Sequence, residues 1–172
     1  MHLEEDGFTT QLQRDLVQQL ASLCIAGQHV VATAESCTGG MIASSMTTIA
    51  GSSQWFDCGF VTYSNNAKMQ MLGVDNATLN ASGAVSSATV SAMALGAVSR
   101  SDATVACAVS GVAGPGGGSD EKPVGTVWIA WAGPDGVRQQ HYLFPGNRDE
   151  IRQRTVEEAL RGLISCIKSA PG

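Results

Sequence analysis

The stretch Val30-Val31-Ala32-Thr33-Ala34-Glu35-Ser36-Cys37-Thr38-Gly39-Gly40 holds the residues best suited to chemistry in this sequence. A strand-like run leads into a serine and a cysteine, and two glycines follow before a helical pattern begins. Glycines let the backbone approach a ligand, and unpaired N–H groups at a helix start favour negative charge. A serine at the carboxyl end of a strand in an open α/β sheet can present its Oγ to a ligand. Nearby amides would then serve as an oxyanion hole. Ser36 and Thr38 can equally be plain helix caps, the commoner use of both residue types. The pattern is not the G-x-S-x-G elbow, because residue 34 is an alanine. Cys37 is a rival nucleophile, but no histidine is spaced to pair with it, which favours a buried thiol.

A nucleophilic serine needs a base to accept its proton. The histidines are His2 near the terminus, His29 at the start of the first strand and His141 in a late strand. None falls at a strand's carboxyl end beside Ser36. A desolvated lysine is the alternative. Lys168 closes the last helix and Lys122 closes a glycine-rich loop. Lys68 sits in the first turn of a short helix, just after Tyr63-Ser64-Asn65-Asn66. If the first two strands are parallel, their carboxyl ends share an edge, and Ser36, Tyr63 and Lys68 can converge there. The positive end of the helix dipole would lower the Lys68 pKa in the useful direction. A surface lysine on a short helix fits the same spacing equally well.

These residues must be positioned by elements whose patterns are readable. Leu12, Leu16, Leu20 and Leu23 predict a helix over 9–26, with Thr9 or Thr10 as N-cap and Gly27 as its stop. A strand is expected over 29–34, a helix over 41–49, a strand over 58–63 and a short helix over 67–72 ended by Gly73. A helix capped by Ser86 or Ser87 runs to about Arg100, and the apolar run 104–109 reads as a strand. Segments 124–131 and 137–144 flank Gly133-Pro134-Asp135-Gly136, a hairpin signal. Asn147 with Glu150 three residues on predicts a capping box opening a last helix to about Lys168. With no repeat and no linker, residues 1–172 read as one domain. Its expected fold is a three-layer α/β/α sandwich with a mixed, mainly parallel sheet.

Composition narrows the function. Apolar residues make up 44% and charged ones 15%, an ordinary globular balance. The net charge of −5 argues against binding nucleic acid. The uncharged stretches 36–56 and 76–99 are too rich in Ser, Thr and Gly to span a membrane. The acidic N-terminus does not resemble a signal peptide, so a cytoplasmic protein is expected. The five cysteines show neither a C-x-x-C pair nor a metal spacing; Cys24, Cys107 and Cys166 fit as small core residues. Arg148, Arg152, Arg154 and Arg161 fit the solvated face of a helix or, less commonly, an anion site.

Residues 33–40 (TAESCTGG), 49–68 (IAGSSQWFDCGFVTYSNNAK), 73–79 (GVDNATL), 83–86 (GAVS) and 110–128 (SGVAGPGGGSDEKPVGTVW) together resemble the CinA C-terminal-domain family. The similarity runs from about residue 10 to residue 168. It is greatest to the family's stand-alone members, which are nicotinamide-nucleotide amidases. The resemblance implies hydrolysis of nicotinamide mononucleotide to nicotinic acid mononucleotide and ammonia, in pyridine nucleotide recycling, without metal or other cofactor. It implies Ser36 as nucleophile, Lys68 as base and Tyr63 as the assisting residue. Substrate-binding positions are expected at Glu35, Thr38, Gly39 and Gly40 in the first turn. Further ones are expected at Ser110, Gly111, Gly114, Gly116 and Gly117 in the second, and at Arg148. The partner implied is a small-molecule nucleotide, with no nucleic acid and no membrane, and the chain is expected to be a homodimer. The alternative is a non-catalytic nucleotide-binding or interaction module linked to competence and recombination.

Overall fold

The computed structural model describes residues 9–170. The acidic first eight residues, with His2 among them, lie outside that range. Five strands form one sheet in the order β2-β1-β3-β4-β5, where β1 is Val31–Glu35, β2 Phe56–Val61, β3 Val105–Gly111, β4 Thr126–Gly133 and β5 Gly136–Leu143. β1 pairs in parallel with both β2 and β3, whereas β3–β4 and β4–β5 are antiparallel. Four strands therefore point one way and β4 alone runs back. The parallel half lies at β2-β1-β3, so the carboxyl ends of three strands share one edge.

Helices cover both faces. α1 (Gln11–Gly27), α2 (Met41–Met46) and α6 (Arg148–Ser169) lie on one side, and α3 (Asn65–Leu72), α4 (Asn76–Ser82) and α5 (Ser87–Ser99) on the other. β1 and almost all of β3 are buried, as strands covered on both faces must be. The two cores differ in grain. The α1/α6 side is filled by large residues, among them Leu20, Ile42, Trp55, Trp131, Leu160 and Leu163. The opposite side of the sheet presents Ala32, Ala34, Ala106, Ala108, Ala130 and Ala132. Those small side chains let α5 lie close through Val90, Met93, Ala94 and Ala97, and α3 packs on α5.

Local signals set most boundaries. Thr10 and Asn147 each make both bonds of a capping box, opening α1 and α6, and Ser64 and Ser86 cap α3 and α5. The hairpin turns on Pro134 and Asp135 between strands paired Gly133 to Gly136. Several expectations shift. The strand expected over 58–63 is Phe56–Val61, which leaves Tyr63 beyond its end, and α3 starts at Asn65 rather than residue 67. α1 continues through Gly27, and Gln28 takes the left-handed conformation (φ 54°). Leu12 is largely exposed, while Gln13 is buried and bonds Gln153 across to α6. α2 stops at Met46 rather than residue 49. α4 carries only one buried residue, Leu79, so no apolar period announced it.

Candidate active site

Alternation along β1 sends consecutive residues to opposite faces. Ala32 and Ala34 join the α5 side, Glu35 turns toward α2, and Ser36, one residue beyond the strand, reaches back to α3. On α3 the cap is Ser64, whose Oγ accepts from Ala67 N at 3.0 Å. That places Lys68 one turn into the helix, where it is only 1% exposed. Its Nζ lies 3.0 Å from Ser36 Oγ and donates to the Thr62 carbonyl at 2.7 Å. Thr62 is itself fixed by its N–H, which donates to the Glu35 carbonyl at 2.8 Å. Serine, lysine, threonine and glutamate therefore close a ring across two strand ends and one helix.

No carboxylate pairs with Lys68 among the described residues. Burial pushes its pKa below the ordinary 10.5, because the charged form loses solvation. A Cys37 thiolate would oppose that shift. However, burial pushes the Cys37 thiol itself up to about 12, so it is neutral while Lys68 titrates. The same burial makes Cys37 a poor nucleophile.

The turn after Ser36 uses its amides unevenly. Gly39 N–H donates to Ser36 O and Met41 N–H to Thr38 O, both at 3.1 Å. Ile42 and Ala43 N–H go to the Glu35 carboxylate. The amides of Cys37, Thr38 and Gly40 donate to no neighbouring main-chain or side-chain acceptor among the described residues. Gly40 has φ 101°, a conformation that favours glycine.

The other expected site residues are distributed as follows. Ser110 is 2% exposed and lies on β3 beside Ser36, since Glu35 is in register with Val109 and Ser36 N–H donates to Val109 O. Tyr63 is 62% exposed and no hydrogen bond joins it to Ser36 or Lys68; its hydroxyl accepts from Arg148 at 3.1 Å. Arg148 also donates to Gly114 O at 2.8 Å, linking α6, the end of β2 and the second glycine loop into a rim. Within that loop Gly111 is packed under Val127, and Gly114, in a left-handed conformation before a cis Pro115, lies against Val124. Gly116 and Gly117 are exposed. The Glu35 and Thr38 side chains bond each other at 2.6 Å, and both are fully buried.

Arg152, one turn after Arg148 on α6, was legible only as a member of an arginine cluster. It donates to the carbonyls of Cys37 (3.1 Å) and Thr38 (3.3 Å), bracing the turn from the α6 side. With Gly39, Gly40, Met41, Ser44, Asp149 and Gln153 it lines a cavity of about 410 Å³ on that side. Lys122, the rival base, donates instead to Ser82 O at the end of α4. Cys166, expected in the core, is half-buried and accepts from Arg138 Nε. Among the described residues no three His, Cys, Asp or Glu side chains gather as a metal site requires. No helix among them is long and apolar enough to cross a membrane.

Fold and site together define an α/β protein that buries a serine–lysine pair at the carboxyl edge of its parallel strands. The model of the CinA C-terminal domain matches residues 13–167, and the chain belongs to that family. It is 54% identical over 139 residues to the nicotinamide-nucleotide amidohydrolase PncC of Enterobacter agglomerans, covering 78% of this chain and 85% of that protein. A CinA-like protein of Akkermansia muciniphila is 52% identical over 141 residues, 81% of this chain, which spans only 34% of that longer protein. The crystal structure of competence/damage inducible protein CihA from Agrobacterium tumefaciens superposes with a TM-score of 0.88 at 46% identity. That match covers 96% of this chain and 98% of the other.

Proposed function

We propose that this chain is a nicotinamide-nucleotide amidohydrolase, converting nicotinamide mononucleotide to nicotinic acid mononucleotide and ammonia, with Ser36 as nucleophile and Lys68 as base. The observation that carries this reading is the buried lysine, 3.0 Å from the serine hydroxyl and without a carboxylate partner among the described residues. A lysine kept for structure would be paired or would reach solvent; one kept as a base benefits from burial. The similarity to the amidohydrolase of E. agglomerans, over most of both chains, supplies the substrate class.

In the proposed reaction neutral Lys68 accepts the Ser36 proton as Oγ attacks the carboxamide carbon. The oxyanion is held by free amides of the turn, drawn from Cys37, Thr38 and Gly40; Gly39, whose N–H already closes the turn, is not one of them. The tetrahedral adduct collapses as the leaving nitrogen takes the proton from Lys68 and departs as ammonia. Water, deprotonated by the same lysine, then attacks the acyl-enzyme and releases the acid and Ser36. Ser110 lies beside the acyl group in this reading. Tyr63 and Arg148, bonded to each other at the rim, meet the ribose phosphate as it enters. The family resemblance supports a single domain acting in the cytoplasm on pyridine nucleotide recycling, as a homodimer and without nucleic acid or cofactor.

The likeness to a competence/damage inducible protein of A. tumefaciens favours the alternative, a nucleotide-binding or interaction module. One assay decides between them: ammonia release from nicotinamide mononucleotide, with nicotinamide and glutamine as controls. Release from the mononucleotide alone, absent in Ser36→Ala, is the expected outcome. No release by folded wild-type protein would reject the enzyme.

A further inference from the structure

We propose that Glu35 is a positioning residue, whose buried carboxylate fixes Ser36 against Lys68 and does not contact substrate; this deepens the amidohydrolase reading and rests on it. Glu35 is fully buried, and both its oxygens are engaged. Oε1 accepts from Thr38 Oγ1 at 2.6 Å and from Ile42 N–H at 2.9 Å. Oε2 accepts from Ala43 N–H at 3.0 Å and, more weakly, from Thr33 Oγ1 at 3.5 Å. A buried carboxylate is tolerated only when its lone pairs are met in this way. Nothing remains on it for a ligand.

The bonds fall where the fold needs them. The N-cap of α2 is Gly40, which has no side chain to cap the helix. Glu35 supplies the acceptor from the end of the preceding strand. Strand and helix are thereby joined across the turn, with Ser36 the first residue inside the clasp. The main chain of Glu35 holds the other half: its carbonyl accepts from Thr62 N–H, and the Thr62 carbonyl accepts from Lys68 Nζ. One residue thus touches the support of the nucleophile and the support of the base. Misplacing reacting groups by about 1 Å costs on the order of 100-fold in rate, so loosening this clasp acts on the chemical step rather than on binding.

The test compares Glu35→Gln and Thr38→Val with wild type, each assayed well below its own melting temperature. Glu35→Gln keeps the shape but turns an amide NH2 toward a main-chain N–H. Thr38→Val removes only the donor at 2.6 Å. The expected result is a kcat lower by roughly 10- to 100-fold in the first and about 3- to 10-fold in the second, with KM within about twofold of wild type. Sulfonylation of Ser36 by phenylmethylsulfonyl fluoride, followed by mass spectrometry, should slow in parallel. A raised KM at unchanged kcat would make Glu35 a substrate contact and overturn the proposal. Wild-type kcat and labelling in folded, less stable variants would make its role structural only, and overturn it also. If Glu35→Gln does not fold, Thr38→Val decides. A wild type that labels at Ser36 but releases no ammonia would reject the amidohydrolase reading, and the labelling rates of the variants would still decide the role of Glu35.

Discussion

Two glycine-rich turns leave neighbouring parallel strands at the same sheet edge, and they are held in different ways. The turn after β1 is tied by side chains: buried Glu35 from within, half-buried Arg152 from α6 and buried Lys68 from α3. The turn after β3 is tied mainly by main-chain rungs, Val112 to Thr126 and Gly125 to Val112. Two cations, Arg148 and Lys122, anchor it at its ends. Residues 115–121 between those anchors are almost wholly exposed. The first turn has the fixed geometry that the proposed nucleophile needs. The other leaves main chain open, as the proposed contact with a nucleotide would require.

The largest effect that would break this contrast concerns the first turn. Ser36→Ala should lower kcat/KM by roughly 1,000-fold or more, with circular dichroism unchanged. Lys68→Arg should fall comparably, because arginine keeps the charge but has no lone pair to offer near neutrality. If Lys68→Arg retains activity while Lys122→Ala loses it, the base belongs to the second turn and the contrast collapses.

The pH dependence sharpens the same point. With the Lys68 pKa pushed below 10.5 by burial, kcat/KM should rise through that depressed pKa and level off before 10.5. Stability carries the matching sign. Between the depressed folded value and the unfolded one, the unfolded chain binds more protons, so wild-type stability rises with pH. Relative to Lys68→Met, wild type should gain stability across that window and lose it again as pH falls through the folded pKa. Urea titrations at a series of pH values check this; a constant difference would place Lys68 in solvent.

Smaller effects separate the two ends of the second turn. A Cβ at Gly114 would lie 2.5 Å from Val124 Cγ1 at φ 79°, whereas one at Gly116 would meet nothing within 4 Å. Gly114→Ala should cost about 1–3 kcal/mol, and Gly116→Ala less than about 0.5 kcal/mol. Thermal melts distinguish them. Lys122→Met, which frees only the tie to Ser82 O, should cost less than about 1 kcal/mol and leave kcat unchanged.

Sequence pattern exposed the layers, the cap at Asn147 and the hairpin, and narrowed two other caps to neighbouring pairs, of which Thr10 and Ser86 serve, because each depends on neighbours in the chain. It also allowed Ser36 and Lys68 to share one edge, on the condition that the first two strands run parallel, as they do. What escaped it depends on partners far away. Glu35 looked like a ligand-facing residue, and only the approach of α2 shows that its carboxylate is consumed. The uncapped start at Gly40 was the available clue. Tyr63 carried the expected spacing, yet its hydroxyl is bonded to Arg148, 85 residues away. α4 offered no apolar period, and Gln28 took a left-handed turn that Gly27 was expected to supply.

The central claim is that Ser36, activated by Lys68, carries the acyl group. It is tested most directly by acid-quenching wild-type protein during turnover of nicotinamide mononucleotide and mapping the adduct by peptide mass spectrometry. The predicted result is an added mass equal to substrate minus ammonia, located on Ser36 and missing in Ser36→Ala. An adduct on Cys37, or undiminished turnover by Ser36→Ala, would contradict it.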